Sequence, residues 1–226
     1  MESQRVPILP LQLGLDPAQI EYVLPTHGHW DHYGGAQYLH DTFGSRTGLS
    51  EADWRLMETL PKDNLEFRMP EGIYVPPPAR DLMLTDGMKL TLGDTTVTIY
   101  VTPGHSPGTI SALIPVRDGG RTRVLSLLGG TAFPVTLGPS EHGGGLLANS
   151  ASVGRLARLS KAAGAVGILN THIDNDGSYQ RMQALAARRP GQPHPFVIGA
   201  DAVARHYGVF DACLKAMAER RRAAGG

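Results

Sequence analysis

A single cysteine, Cys213, in 226 residues excludes an internal disulfide framework and any zinc or iron–sulfur site built from several thiolates. Charge of one sign is not in excess, since 21 Lys and Arg face 21 Asp and Glu. Nothing therefore steers the chain toward nucleic acid or an acidic membrane surface. No apolar run approaches the ~18 residues of a membrane span, and the opening Met1-Glu-Ser-Gln-Arg-Val lacks the basic-then-apolar order of a secretory signal. These absences leave a small molecule as the expected partner. They predict a cytoplasmic protein as the chain stands, or a secreted or periplasmic one if an N-terminal region precedes it.

What is present is enough for a sizeable core, with 41% hydrophobic residues, and one domain spanning 1–226 is expected. Asp16 before Pro17 predicts a short capped helix, and residues 21–26 read as a short strand. Helical character follows over 35–43. A strand at 47–50 leads to Ser50, a good N-cap for a helix from Glu51 toward Leu60. The proline-rich stretch 61–80 must be a surface loop. From 82 to 129 the texture becomes alternating and β-branched, with runs at 89–92, 95–101, 109–116 and 123–128 separated by turn signals such as Asp118-Gly-Gly. This predicts an antiparallel meander. A glycine-rich segment at 138–145 precedes helices near 153–163 and 178–188, with a buried strand at 166–169 between them. Val203, Tyr207, Phe210, Leu214 and Met217 recur at helical spacing in the last helix. The order α/β, meander, α/β predicts sheets covered by helices.

The chemistry is concentrated in Thr26-His-Gly-His-Trp-Asp-His32, where a strand gives way to a loop. Imidazole and carboxylate are the usual zinc ligands when cysteine is scarce. His27 and His29, two residues apart in a looping chain, project to the same side and can share one ion. Asp31 and His32 follow a turn that can present them to a second. A solvated polar loop is the plain alternative, but His-x-His-x-Asp-His is far more specific than one His-x-His pair. His105, in Thr102-Pro-Gly-His-Ser-Pro-Gly108, and His172, after the apolar run 166–171, also stand at strand ends, where α/β enzymes assemble their sites.

These three segments resemble the metallo-β-lactamase superfamily, from about Leu13 onward. The resemblance implies an αββα four-layer sandwich, with His27, His29 and His105 holding one Zn2+ and Asp31, His32 and His172 a second. It implies a hydrolase that cleaves an ester, thioester, lactone or lactam bond with a metal-bound hydroxide, Asp31 also orienting the nucleophile as a catalytic residue. Many dinuclear members carry a bridging aspartate where this chain has Gly129, Gly130 and Thr131, an omission similar to the B3-like subclass, which needs no cysteine. Family members also place several strands before the histidine motif, whereas only 26 residues precede His27. The first sheet is thus expected to be incomplete. Either the chain is a fragment, or it is a shortened variant whose sheet edge another copy covers in an oligomer. Two other functions fit the same ligands: a non-catalytic metal-binding module, and iron-based redox chemistry.

The remaining polar residues carry weaker expectations. Ser106 and Thr109 read as structural residues of a Pro-Gly turn, and Asp174, Asn175 and Asp176 as the approach to a helix. His142 reads as a solvated loop residue. His40, His194 and His206 have no ligand partner at suitable spacing.

Overall fold

The computed structural model describes residues 14–59, 61–64, 67–131, 145–172 and 175–224. Leu60, His142 with the glycines of 138–144, and Asp174 lie outside the described residues. The chain divides into two compact units, Met1–Thr85 and Asp86–Gly226.

In the first unit Asp16 accepts the Ala18 N–H at 2.9 Å and starts a 3-10 turn, Pro17–Gln19, as its position before a proline predicts. Strand β1 (Tyr22–Val23) leads into the histidine loop, then into helices α1 (Trp30–Tyr33) and α2 (Ala36–Phe43). Gly44, at φ 75°, ends α2 in the left-handed region and turns the chain into β2 (Arg46–Ser50). Helix α3 (Glu51–Thr59) follows at once, with the Ser50 hydroxyl accepting the Asp53 N–H at 3.4 Å. Strand β3 (Leu82–Leu84) completes a sheet of three parallel strands in the order β1-β2-β3. Helices between successive strands are what parallel pairing requires. Tyr33, Leu49, Trp54, Met57 and Phe67 form the core of this unit.

The second unit opens with the predicted meander: β4 (Lys89–Leu92), β5 (Thr95–Val101), β6 (Ile110–Asp118) and β7 (Arg121–Leu128), antiparallel throughout. Gly119 and Gly120 both take positive φ at the β6–β7 hairpin, the backbone a two-residue turn demands. Helix α4 (Gly145–Ala162) carries the chain back so that β8 (Ala165–Asn170) pairs with β7 in parallel. Helices α5 (Ser178–Ala186) and α6 (Ala200–Ala223) complete the chain. Val153 and Leu156 of α4, Ala165 and Ile168 of β8, and Val203, Tyr207 and Leu214 of α6 bury one another. The α6 face is the one its apolar spacing predicts. Helix α4 begins eight residues before the expected 153, because its first two turns bury Asn149, Ser150 and Ser152 beside Leu146. No described helix is long and apolar enough to cross a membrane.

Candidate metal centre

Each unit contributes ligand-type side chains at the end of a strand. In the first unit, the backbone leaves β1 through Thr26 and is gathered over α3. The Gly28 N–H donates to Asp53 Oδ2 at 2.9 Å. Asp53 is fully buried, so this charge-assisted bond fixes the loop between His27 and His29. A Cβ at Gly28 would approach Met57 Cγ to 3.0 Å, so the loop lies close against α3.

Within that loop the imidazoles crowd together. The ring of His27 lies 4.5 Å from that of His29, edge-on, and 3.8 Å from that of His32. Ligand atoms of His27 and His29 come within 4.8 Å of each other, as do those of Asp31 and His32. The Thr26 hydroxyl lies 3.1 Å from His27 Nδ1 and 3.3 Å from His32 Nδ1. One hydroxyl can donate to one ring and accept from the other, which orients both rings with Nε2 pointing elsewhere. His32 Nε2 stands 3.5 Å from Asp31 Oδ2. Two ligands of one tetrahedral zinc, each about 2.1 Å from it, are separated by about 3.4 Å. The donor set thus fits a divalent metal such as zinc in type, and the Asp31–His32 pair fits it in spacing. Tyr33 is 1% exposed and hydrogen-bonds the Val75 carbonyl at 2.9 Å. Burial above all, then Tyr74 and Asp31, pushes its phenol pKa upward. Tyr33 packs beneath the loop, with Trp30 against the same core.

In the second unit, His105 is 7% exposed and sits in a turn that its own neighbours pin. Ser106 and Thr109 are fully buried and joined hydroxyl to hydroxyl at 2.7 Å, and the Ser106 N–H donates to Thr109 Oγ1 at 3.0 Å. Gly104 takes φ 144°, and a Cβ there would fall 2.3 Å from Asn149 Cα. Only glycine allows α4 to approach so closely. Ser152 of α4 donates to the Pro103 carbonyl at 2.7 Å. Arg155, one turn on, reaches the Val101 carbonyl at 3.1 Å and Asp86 at 2.8 and 2.7 Å. The Arg155 guanidinium, through this hydrogen bond, holds the Asp86 carboxyl below its ordinary value.

His172 follows β8. Its N–H donates to Asn170 Oδ1 at 3.0 Å, and the same oxygen accepts the Thr131 hydroxyl at 3.0 Å. Asn175 Nδ2 in turn donates to Thr131 at 3.0 Å. Asp176 Oδ1 accepts the Ser178 N–H at 2.8 Å at the start of α5, in keeping with a helix-approach role. His40 Nδ1 meets the Ser45 carbonyl and His194 Nδ1 the Phe196 N–H. Two supporting residues, Asp53 and Asn170, have no local signature beyond Asp53 standing three residues after the Ser50 cap, a pattern that signals a helix start rather than a bond to a loop 25 residues away.

Two sheets with helices, and histidines at strand ends, make a mixed α/β fold. The family model "Metallo-beta-lactamase superfamily" matches residues 2–118, 117 of the 226, and the chain belongs to that superfamily. The structure superposes on BJP-1, a subclass B3 metallo-β-lactamase of Bradyrhizobium japonicum, with a TM-score of 0.79 and 25% identity, covering 100% of this chain and 82% of that one. An uncharacterised protein of Mycobacterium bovis is 35% identical over 127 residues, 54% of this chain and 56% of that protein. The hydroxyacylglutathione hydrolase GloC of Haemophilus influenzae is 35% identical over 94 residues, 40% of this chain and 42% of that protein. The chain thus spans about half the length of the curated relatives it matches.

Proposed function

We propose that this protein is a zinc-dependent hydrolase of small acyl substrates bearing an ester, thioester, lactone or lactam bond. The observation that carries the reading is the crowding of His27, His29 and His32 with Asp31 on one loop, held from below by Thr26 and Asp53. Membership of the superfamily supports it, as does likeness to a protein named as a hydroxyacylglutathione hydrolase and to one described as a B3 metallo-β-lactamase.

In this reading both units act as one metallohydrolase domain. His27, His29 and His105 would hold one ion, and Asp31, His32 and His172 the other. A zinc ion bound there would supply Lewis acidity to the substrate carbonyl and would bring the pKa of a water to about 7. Asp31 accepts a hydrogen bond from the attacking water and fixes its direction toward the carbonyl carbon. The acyl–heteroatom bond breaks, water's oxygen stays with the acyl group, and its protons pass to the leaving heteroatom and to solvent or base. Thr26 keeps the rings of His27 and His32 in register. The turn at Pro103–Gly108, pinned to α4, does the same for His105.

The test is a hydrolysis panel of nitrocefin, S-lactoylglutathione and an acyl-homoserine lactone, run beside elemental analysis of the purified protein. Zinc content and turnover of one panel member are expected, with turnover lost and zinc content reduced in His27→Ala and His105→Ala. Undiminished hydrolysis in both variants would overturn the reading. Zinc without turnover on a broad acyl panel would assign the non-catalytic alternative, and iron in place of zinc the redox one.

A further inference from the structure

A second polar cluster stands in the Asp86–Gly226 unit, on side chains the hydrolase reading does not use. A cavity of about 770 Å3 lies against the end of β8, the start of α5 and the first half of α6. Ile168, Ile198 and Phe210 form an apolar wall, and Asp176, Arg181 and His206 contribute a polar one. Each of these three polar residues carries a buried atom with no hydrogen-bond partner among the described residues: Asp176 Oδ2, Arg181 Nη1 and His206 Nε2. Asp176 is only 8% exposed, and its other oxygen is taken by the Ser178 N–H. Buried polar groups are almost always paired, because leaving one unpaired costs free energy. Three such atoms on side chains of one cavity wall, an anion, a cation and an imidazole, mark a place where polar groups of a ligand would relieve that cost. The three share one electrostatic neighbourhood: burial lowers the His206 pKa, Asp176 opposes that and Arg181 adds to it.

We propose that this cavity binds a small carboxylate that bears a hydrogen-bond donor beside it, an α-ammonium or α-hydroxyl, and a short branched apolar tail. The carboxylate pairs with the Arg181 guanidinium and the His206 ring, the donor with the Asp176 carboxylate, and the tail packs on Ile168, Ile198 and Phe210. A ligand lacking the donor leaves Asp176 unmatched. The site goes beyond the hydrolase reading and does not depend on metal. It adjoins it, because Asn170 and Thr131 line the same cavity and Asn170 holds the His172 N–H.

Cys213, the chain's single cysteine, is exposed and lines this cavity, so its alkylation by iodoacetamide reports occupancy without any assay of hydrolysis. The probes are L-leucine, 2-hydroxy-4-methylpentanoate and 4-methylpentanoate, each up to about 10 mM, with calorimetry alongside. Saturable, at least fivefold slowing by leucine or by the hydroxy acid is expected, and which of them acts identifies the donor. The plain acid should need about tenfold higher concentration, equivalent to about 1.4 kcal/mol. Asp176→Asn and Arg181→Met should abolish protection. Val209→Trp, at a lining position 65% exposed, puts an indole at the cavity without disturbing the core and should reduce the heat of binding. Absence of protection by both donor-bearing acids, equal protection by all three acids, or unchanged binding heat in Val209→Trp would each overturn the proposal.

Discussion

A Cβ placed on Gly130 would stand 2.3 Å from the Cβ of His105 and 2.8 Å from its Cγ. The backbone after β7 therefore presses directly on the histidine that follows β5, and nothing larger than hydrogen fits between them. This is the segment in which many dinuclear relatives carry a bridging aspartate. Here such a side chain at Gly130 and the observed position of His105 exclude each other. Gly130→Ala should destabilise the fold by about 1–3 kcal/mol, the usual cost of overpacking, and displace the imidazole. Zinc affinity should fall at least about tenfold, in the range of changes beside metal ligands. Gly130→Asp should behave worse than Gly130→Ala, not better. Denaturant unfolding and zinc titration check both, and a gain of zinc affinity in Gly130→Asp would refute the packing argument.

Asp53 offers a test from the other unit. Its carboxylate is wholly buried and takes the Gly28 N–H. Asp53→Ala should cost about 1–3 kcal/mol, the penalty for stranding a buried partner. It should weaken zinc binding about 10–100-fold, as loss of a group orienting metal ligands typically does. Asp53→Asn keeps an acceptor oxygen and should lose less on both counts. Zinc affinity indifferent to Asp53→Ala would show that the loop holds its shape by other means.

Which parts of this were legible in the sequence follows from the range of the interactions. The histidine loop declared itself because its candidate ligands lie within six residues and neither core packing nor turn chemistry calls for them. Asp16 before Pro17, Ser50 before α3 and the Val203-to-Met217 stripe were readable because caps and apolar periods are local. Asp53 and Asn170 were not, since each acts on backbone whose proximity only the folded chain creates. The early start of α4 escaped because the face it buries there is made of serine and asparagine, which leave no apolar period. Gly130 looked like a missing ligand in the sequence. In the structure it is the space that His105 needs.

Metal removal should separate binding from folding. Zinc that binds only the native state stabilises it by mass action, about 2.7 kcal/mol when free zinc is one hundred times its dissociation constant. Chelation should therefore lower the melting temperature, and added zinc should restore it. In His27→Ala, which removes one ligand of one ion, the response of the melting temperature to zinc should be smaller than in the wild type. Equal responses in the wild type and the variant would place the stabilising ion elsewhere.

Tyr207 makes a prediction about alkaline pH. Its ring is in the core between α4, β8 and α6, and its hydroxyl meets Ser126 Oγ at 2.6 Å, which Ser160 Oγ also reaches at 2.8 Å. Burial, partly offset by the Ser126 and Ser160 hydroxyls, pushes its pKa from 10.0 up to about 12. Below pH 10 the phenol is protonated in both folded and unfolded chains, so its contribution to stability is fully present. Between 10 and about 12 the unfolded chain releases the proton while the folded chain keeps it, and stability must fall as pH rises. The slope is at most about 1.4 kcal/mol per pH unit from this one group. In Tyr207→Phe that component of the alkaline loss should vanish, at the cost of one buried hydrogen bond worth about 1 kcal/mol at neutral pH. Denaturant melts at about pH 8, 10 and 11, from about two units below the ordinary tyrosine pKa to about one above it, decide the matter: parallel pH profiles for the two proteins would mean that Tyr207 ionises in the core as readily as in water.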